Sequence, residues 1–268
     1  MPTDPASCAT TDLDAIERSF PHNKKVTEQY VDKETLEYVR SLVPNNVVEN
    51  KDSALVTTLM RWFKNDFMQW LPNQMKCANC STSGSDGGPI MQQTIQPGST
   101  WQLRKTEVFK CANCGAQKVY PRYSDVKKIA DTRLGRCGEW SILFGAVLNS
   151  VSVQARIVHD YLDHCWNEAL INGRWVHIDS TLQFPASLDN PYLYERNWGK
   201  KYTYVLAFDA RRVQDVTGRY TEQWDAVLQR RKQFVSDAKN VVLSLADSAS
   251  GPQRMSEENL QSLYSSVQ

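Results

Sequence analysis

The stretch from Gly135 to Asp179 constrains this chain most, because it spaces a thiol, an imidazole and a carboxylate through three kinds of local sequence. Cys137 opens a run, Trp140-Ser141-Ile142-Leu143-Phe144-Gly145-Ala146-Val147-Leu148, whose apolar residues recur at three and four, the spacing of a helix. A cysteine at a helix start faces unpaired backbone N–H groups and the positive end of the helix dipole. Both favour the thiolate, which is the nucleophilic form. His164 lies between segments that read as strands, 156–161 and 166–171, and Asp179 ends a third, 174–178. Asn172-Gly173 suits a tight two-residue turn between the last two. Strand ends fed by a short hairpin hold an imidazole and an orienting carboxylate within hydrogen-bond reach, as an activated thiol requires. Cys137, His164 and Asp179 are the candidate catalytic residues, with His159 and His177 as competitors for the base.

Two Cys-x-x-Cys pairs precede this stretch, Cys77-Ala78-Asn79-Cys80 and Cys111-Ala112-Asn113-Cys114. Four thiolates fill a closed tetrahedral zinc shell and leave no open position for chemistry, so the pattern predicts one structural Zn2+ per chain. Of seven cysteines, four sit in these pairs, which suits a reducing compartment better than a disulfide scaffold. The net charge of +1 supplies no basic field for nucleic acid. No apolar run approaches the roughly 20 residues of a membrane span, and the N-terminus lacks a secretory signal's apolar core.

The 268 residues suit one large unit. We expect a flexible arm over 1–30, a single catalytic domain over 31–245 that includes a zinc lobe at 75–120, and a helical tail over 246–268. Asp32 reads as the N-cap of a short helix, and Ser124 as the cap of another over 125–132. Residues 52–70 carry Leu55, Leu59, Trp62, Phe63, Phe67 and Trp70 at helical spacing, which is ordinary core patterning; Trp62 and Trp70 are also candidate walls of a sugar-binding cleft. Residues 108–120 suggest a hairpin around the second cysteine pair, 202–208 a central strand, and 213–217 a shorter one. A helix is expected from Thr221 to about Leu245, its Arg230-Arg231-Lys232 triplet a solvated face. Cys165 reads as a small strand residue and Cys8 as a tail thiol.

The spacings of 27 residues from Cys137 to His164 and 15 from His164 to Asp179 differ from papain-type proteases, whose histidine follows the cysteine by about 130. The compact order resembles the transglutaminase-like superfamily. Within it, Gly135-Arg136-Cys137-Gly138-Glu139-Trp140, Asp160-Tyr161-Leu162-Asp163-His164-Cys165-Trp166-Asn167-Glu168, Trp175-Val176-His177-Ile178-Asp179 and Asn197-Trp198-Gly199-Lys200-Lys201-Tyr202 resemble the peptide:N-glycanase family. The resemblance covers roughly residues 30 to 230 and selects His164 over the other histidines. It implies an α+β, transglutaminase-like (papain-like) cysteine hydrolase core: a helix bearing Cys137, an antiparallel sheet bearing His164 and Asp179, a four-cysteine zinc lobe and terminal helices. It implies an amidase that frees N-glycans from misfolded glycoproteins in ER-associated degradation, in the cytoplasm or nucleus, with Arg156, Trp166 and Glu168 lining the site. It also implies a ubiquitin-like proteasomal shuttle factor as partner, and a short form of the family. Two departures stand out: Cys165 replaces the usual valine beside the histidine, and Ser180-Thr181 replace the Pro-Cys often found after the aspartate. A transglutaminase, a cysteine protease or an inactive binding scaffold of the same fold are the alternatives.

Overall fold

The computed structural model describes residues 13–49, 52–83, 89–95 and 100–232. Cys8, the end of the expected C-terminal helix beyond 232 and the tail over 246–268 lie outside them. Four helices come first: α1 (Leu13–Glu28), α2 (Lys33–Leu42), α3 (Asn45–Val48) and α4 (Asp52–Trp62). A π-helical turn, Phe63–Phe67, follows α4, and then a two-residue strand β1 (Gln69–Trp70). The expected arm over 1–30 is corrected for residues 13–28; residues 1–12 lie outside the described ones. Ile16, Phe20 and Val26 of α1 are fully or almost fully buried, and Phe20 packs edge-on against Phe208 at 5.6 Å. Sparse large apolar residues hid this helix, since three well-placed ones suffice to dock it. Asp32 caps α2 as expected, accepting from the Thr35 N–H at 2.8 Å.

Three strands, β2 (Pro89–Ile95), β3 (Leu103–Cys111) and β4 (Gln117–Tyr123), form an antiparallel sheet of their own in the order β2-β3-β4. The expected hairpin is its second half. α5 (Val126–Thr132) follows, capped by Asp125, whose Oδ1 accepts from Lys128 N at 2.8 Å, rather than by Ser124. β5 (Leu134–Gly135) pairs in parallel with β1, which ties residues 69–70 to the threshold of the next helix.

That helix, α6 (Cys137–Ser150), is buried along nearly its whole length. A helix apolar all round belongs in a core, and here α2, α5 and the strands of a sheet pack against it. Gly145 permits the closest approach: a Cβ there would stand 2.4 Å from the Tyr30 hydroxyl, which itself donates to Ile142 O at 3.1 Å. The main sheet has the order β10-β9-β6-β7-β8, all antiparallel, from β6 (Ala155–His159), β7 (Cys165–Ile171), β8 (Arg174–Ile178), β9 (Leu206–Phe208) and β10 (Val213–Asp215). Asn172 and Gly173 turn β7 into β8 with φ of 50° and 75°, the left-handed pair that a two-residue hairpin needs. α7 (Leu193–Trp198) and α8 (Trp224–Lys232) complete the described chain. Within α8 the basic triplet is not wholly solvated. Arg231 is 2% exposed and pairs with Asp215 at 2.9 Å across the sheet edge.

Candidate active site

Three segments converge at the N-terminus of α6. The helix begins at Cys137, with Arg136 as its N-cap and the Glu139 carboxylate accepting from the Arg136 N–H at 3.0 Å. His164 enters from the turn between β6 and β7. That turn is held open by left-handed residues, Tyr161 at φ 55° and Asp163 at φ 97°, and is anchored by Asp160. One Asp160 oxygen accepts from both Leu162 N (2.8 Å) and His164 N (2.9 Å), while Lys200 pairs with Asp160 at 3.0 Å and Asp163 at 2.5 Å. Asp179 sits just past β8, fully buried.

The three side chains form one line. His164 Nε2 lies 2.8 Å from Asp179 Oδ2, which leaves Nδ1 as the ring nitrogen available to Cys137. The Cys137 sulfur also reaches the Asp163 carbonyl at 3.8 Å. Asp179 accepts from four donors: Thr181 N (2.8 Å), Thr181 Oγ1 (2.6 Å), the Tyr194 hydroxyl (2.8 Å) and the imidazole. Burial opposes its charge, yet His164 and these bonds hold its carboxyl well below the usual range. Burial likewise opposes the imidazolium, but the Asp179 charge and hydrogen bond, with Cys137 beyond, raise His164 to about 10. Cys137 is lowered to about 4, first by a hydrogen bond from the Cys165 thiol, then, against burial, by His164. These shifts favour a thiolate–imidazolium pair, the form that attacks a carbonyl carbon without a separate deprotonation. His177, by contrast, is buried and lowered to about 4 by that burial, with Nε2 at 2.8 Å from the Tyr194 hydroxyl. His159 is lowered to about 3 for the same reason. Both competitors are neutral structural histidines.

The expected walls are partly corrected. Arg156, Trp166 and Glu168 are at most 1% exposed, and they form a closed network on the face of β7 turned away from α6. Arg156 donates to Glu168 at 2.7 Å, and Tyr220 links Glu168 to the Trp166 indole, each at 2.8 Å. Alternation along a strand decides this: 166 and 168 point one way, 165 and 167 the other. Trp166 backs the His164 ring at 5.8 Å rather than lining a groove. Trp62 is buried against Phe63 and Phe67. Trp70 is 49% exposed, its ring 6.3 Å from that of Trp140. Sequence reasoning missed Trp198, 41% exposed and edge-on to His164 at 5.2 Å, and Tyr194 and Lys200, whose roles depend on a loop returning from beyond β8.

The cysteine pairs close a second centre. The four sulfurs lie within 4.8 Å of one another, with Cys77–Cys114 and Cys80–Cys111 each at 3.6 Å. Tetrahedral zinc with bonds of about 2.3 Å separates its sulfurs by about 3.8 Å, so the donor set and its spacing fit a metal ion. Each pair sits in a knuckle, with Ser81 N bonded to Cys77 O and Gly115 N to Cys111 O, both at 2.9 Å. This lobe is wired to α6: Glu107 of β3 and Glu139 of α6 share Arg122 of β4, and Arg136 returns to Glu107 at 2.9 Å.

A reactive thiol at a helix start, facing a histidine and carboxylate on an antiparallel sheet, defines the transglutaminase-like class. A family model described as the transglutaminase-like superfamily matches residues 93–180. Proteins named peptide-N(4)-(N-acetyl-beta-glucosaminyl)asparagine amidase are similar to this chain. That of Caenorhabditis elegans is 32% identical over 84% of this chain and 38% of its own length, and that of Gallus gallus 36% over 71% and 29%. That of Saccharomyces cerevisiae is 40% identical over 63% and 47%. Through residues 93–180 the chain matches the transglutaminase-like superfamily, and over most of its length it is similar to the peptide:N-glycanases. It spans about half or less of the length of these curated relatives. Two solved structures share the fold: a Rad4-Rad23 complex bound to a 6-4 photoproduct UV lesion (TM-score 0.53, 14% identity, 95% of this chain and 56% of that one) and the Rad4/XPC nucleotide excision repair complex (0.51, 15%, 98% and 62%).

Proposed function

We propose that this chain is an amidase that cleaves the side-chain amide of glycosylated asparagine, acting on misfolded N-glycoproteins or glycopeptides. The observation that carries the reading is the thiolate–imidazolium–carboxylate line of Cys137, His164 and Asp179. Cys137 attacks the amide carbonyl carbon, and backbone N–H groups at the start of α6 receive the developing oxyanion. His164 gives its Nδ1 proton to the departing glycosylamine as the C–N bond breaks. Water then attacks the thioester, His164 takes its proton, and Cys137 leaves as the thiolate. The peptide keeps an aspartate. Asp179 holds the imidazole in register and balances its charge throughout. Trp70 and Trp198 flank the line with exposed rings that suit the apolar face of a sugar.

The four-cysteine centre would hold zinc, tetrahedral and closed, and supply stability rather than chemistry. The reading extends to a cytoplasmic or nuclear setting in ER-associated degradation, carried by the family resemblance. Contact with a ubiquitin-like shuttle factor belongs to it too, carried by the family resemblance. The test is a denatured glycopeptide followed by mass spectrometry. Wild type should release the glycan and convert Asn to Asp, and Cys137→Ala should do neither. Amine incorporation or backbone cleavage instead would make it a transglutaminase or a protease.

A further inference from the structure

The residue beside the catalytic histidine is a second thiol, and its position follows from two periodicities. Along β7, Cys165, Asn167 and Ala169 face α6: Asn167 Nδ2 donates to Ser141 O at 3.0 Å, and Ala169 lies in the core that α6 fills. Along α6, Cys137 and Ser141 are one turn apart and share a face. Ser141 Oγ, one turn along α6 from Cys137, lies 3.3 Å from Cys165 Sγ. Strand and helix are both held here, since Asp163, two residues before Cys165, touches Cys137 through its carbonyl at 3.8 Å. Cys137 is half-buried and opens to the site, whereas Cys165 is 5% exposed behind it.

We propose that Cys165 is a resolving cysteine for Cys137, so that hydrogen peroxide converts the pair into a disulfide that masks the nucleophile and a dithiol restores it. The Cys137 thiolate attacks one peroxide oxygen. An S–O bond forms, the O–O bond breaks, and hydroxide leaves; sulfur is oxidised to a sulfenic acid and peroxide is reduced. The Cys165 sulfur then attacks the Cys137 sulfur. An S–S bond forms, the S–O bond breaks, and the departing hydroxide takes the Cys165 proton as water. Two thiols and one peroxide give one disulfide and two waters. The hydrogen bond and charge of Cys137, with burial, hold the Cys165 thiol well above its ordinary range in the resting site. Oxidation of Cys137 removes its anion, and the Ser141 hydroxyl and the Arg104 charge, which favour the Cys165 thiolate, remain. Cys165 is thereby protonated while the site works and is released to react once its neighbour is oxidised.

Peptide mapping tests this without any substrate, and so independently of the amidase reading. The whole chain is treated with hydrogen peroxide, alkylated and digested with trypsin without reduction. Cleavage after Arg136, Arg156 and Arg174 puts Cys137 in peptide 137–156 and Cys165 in peptide 157–174. The expected product is these two peptides joined, less two hydrogens. Recovery of wild-type Cys165 as the alkylated thiol, alongside Cys137 as sulfinic acid, overturns the proposal. In a second arm, Cys165→Ala is oxidised in parallel and each protein is compared with its own starting rate. Dithiothreitol should restore wild type and leave Cys165→Ala inactive, its Cys137 a sulfinic acid. Equal recovery of both proteins removes the resolving role.

Discussion

The six described cysteines fall into two groups, Cys77, Cys80, Cys111 and Cys114 in the lobe built on β3 and β4, and Cys137 with Cys165 where α6 meets β7. In the first, four sulfurs surround a common centre. Cys80 is lowered to about 5 by the Thr82 hydroxyl and Asn113, and Cys114, despite the Ala116 N–H, is raised to about 12 by burial and its sulfur neighbours. Four sulfurs so close are held as thiolates only with a cation among them. In the second, the balancing cation is the protein's own imidazolium, and a neighbouring thiol supplies a proton rather than a charge. The difference lies in who carries the positive charge. A metal that fills its shell makes sulfur inert, whereas an imidazolium on one side leaves it open to substrate.

His164→Ala should break the second group most severely. Loss of the base and its charge should cut kcat on the order of 10,000-fold, as for other triads. The same change should move the pH at which iodoacetamide alkylates Cys137 upward. In wild type the thiolate fraction is lost as pH falls through about 4, and the imidazolium is lost as pH rises through about 10, so activity should be flat between those limits. An alkylation profile unchanged by His164→Ala would break the pairing.

Stripping metal from the first group should act on stability before chemistry. Removing a structural ion of this kind should lower the thermal midpoint by at least about 10 °C. Activity should follow only because Arg122 and Arg136 join the lobe to Glu139 at the start of α6. Metal analysis should give one zinc per chain, and a metal-free sample of undiminished stability would dissolve the comparison. The smallest effect is expected from Tyr194→Phe, which deletes one of the four donors to Asp179. A lost hydrogen bond to a charged group costs about 1.5–3 kcal/mol, so kcat should drop between roughly 10-fold and roughly 150-fold, with little change in folding.

Local pattern carried a good part of this. The Cys137 helix, the Asn172-Gly173 hairpin, the Asp32 cap and the cysteine knuckles each rest on residues a few positions apart, where periodicity and turn chemistry act. The error over α1 has the opposite origin: its helix is stabilised by burial against Phe208, distant in sequence, and not by its own composition. The walls show the same limit. Trp166 and Glu168 stand beside His164 in sequence, but a step of one along a strand reverses the face, and burial withdrew them, with Arg156 and Trp62, from solvent.

The sequence by itself singled out Cys137, Asp179 and the four knuckle cysteines as candidates, because each sits in a short motif whose chemistry is local, and the family resemblance added His164. Only the tertiary structure decided what surrounds them: Tyr194 and Thr181 on Asp179, Lys200 on the His164 turn, Trp198 beside the ring, and Cys165 against Cys137. The physical reason is that charge and hydrogen bonding act over a few ångströms of space, and a fold brings distant stretches of chain within that range without leaving a mark on their spacing in sequence.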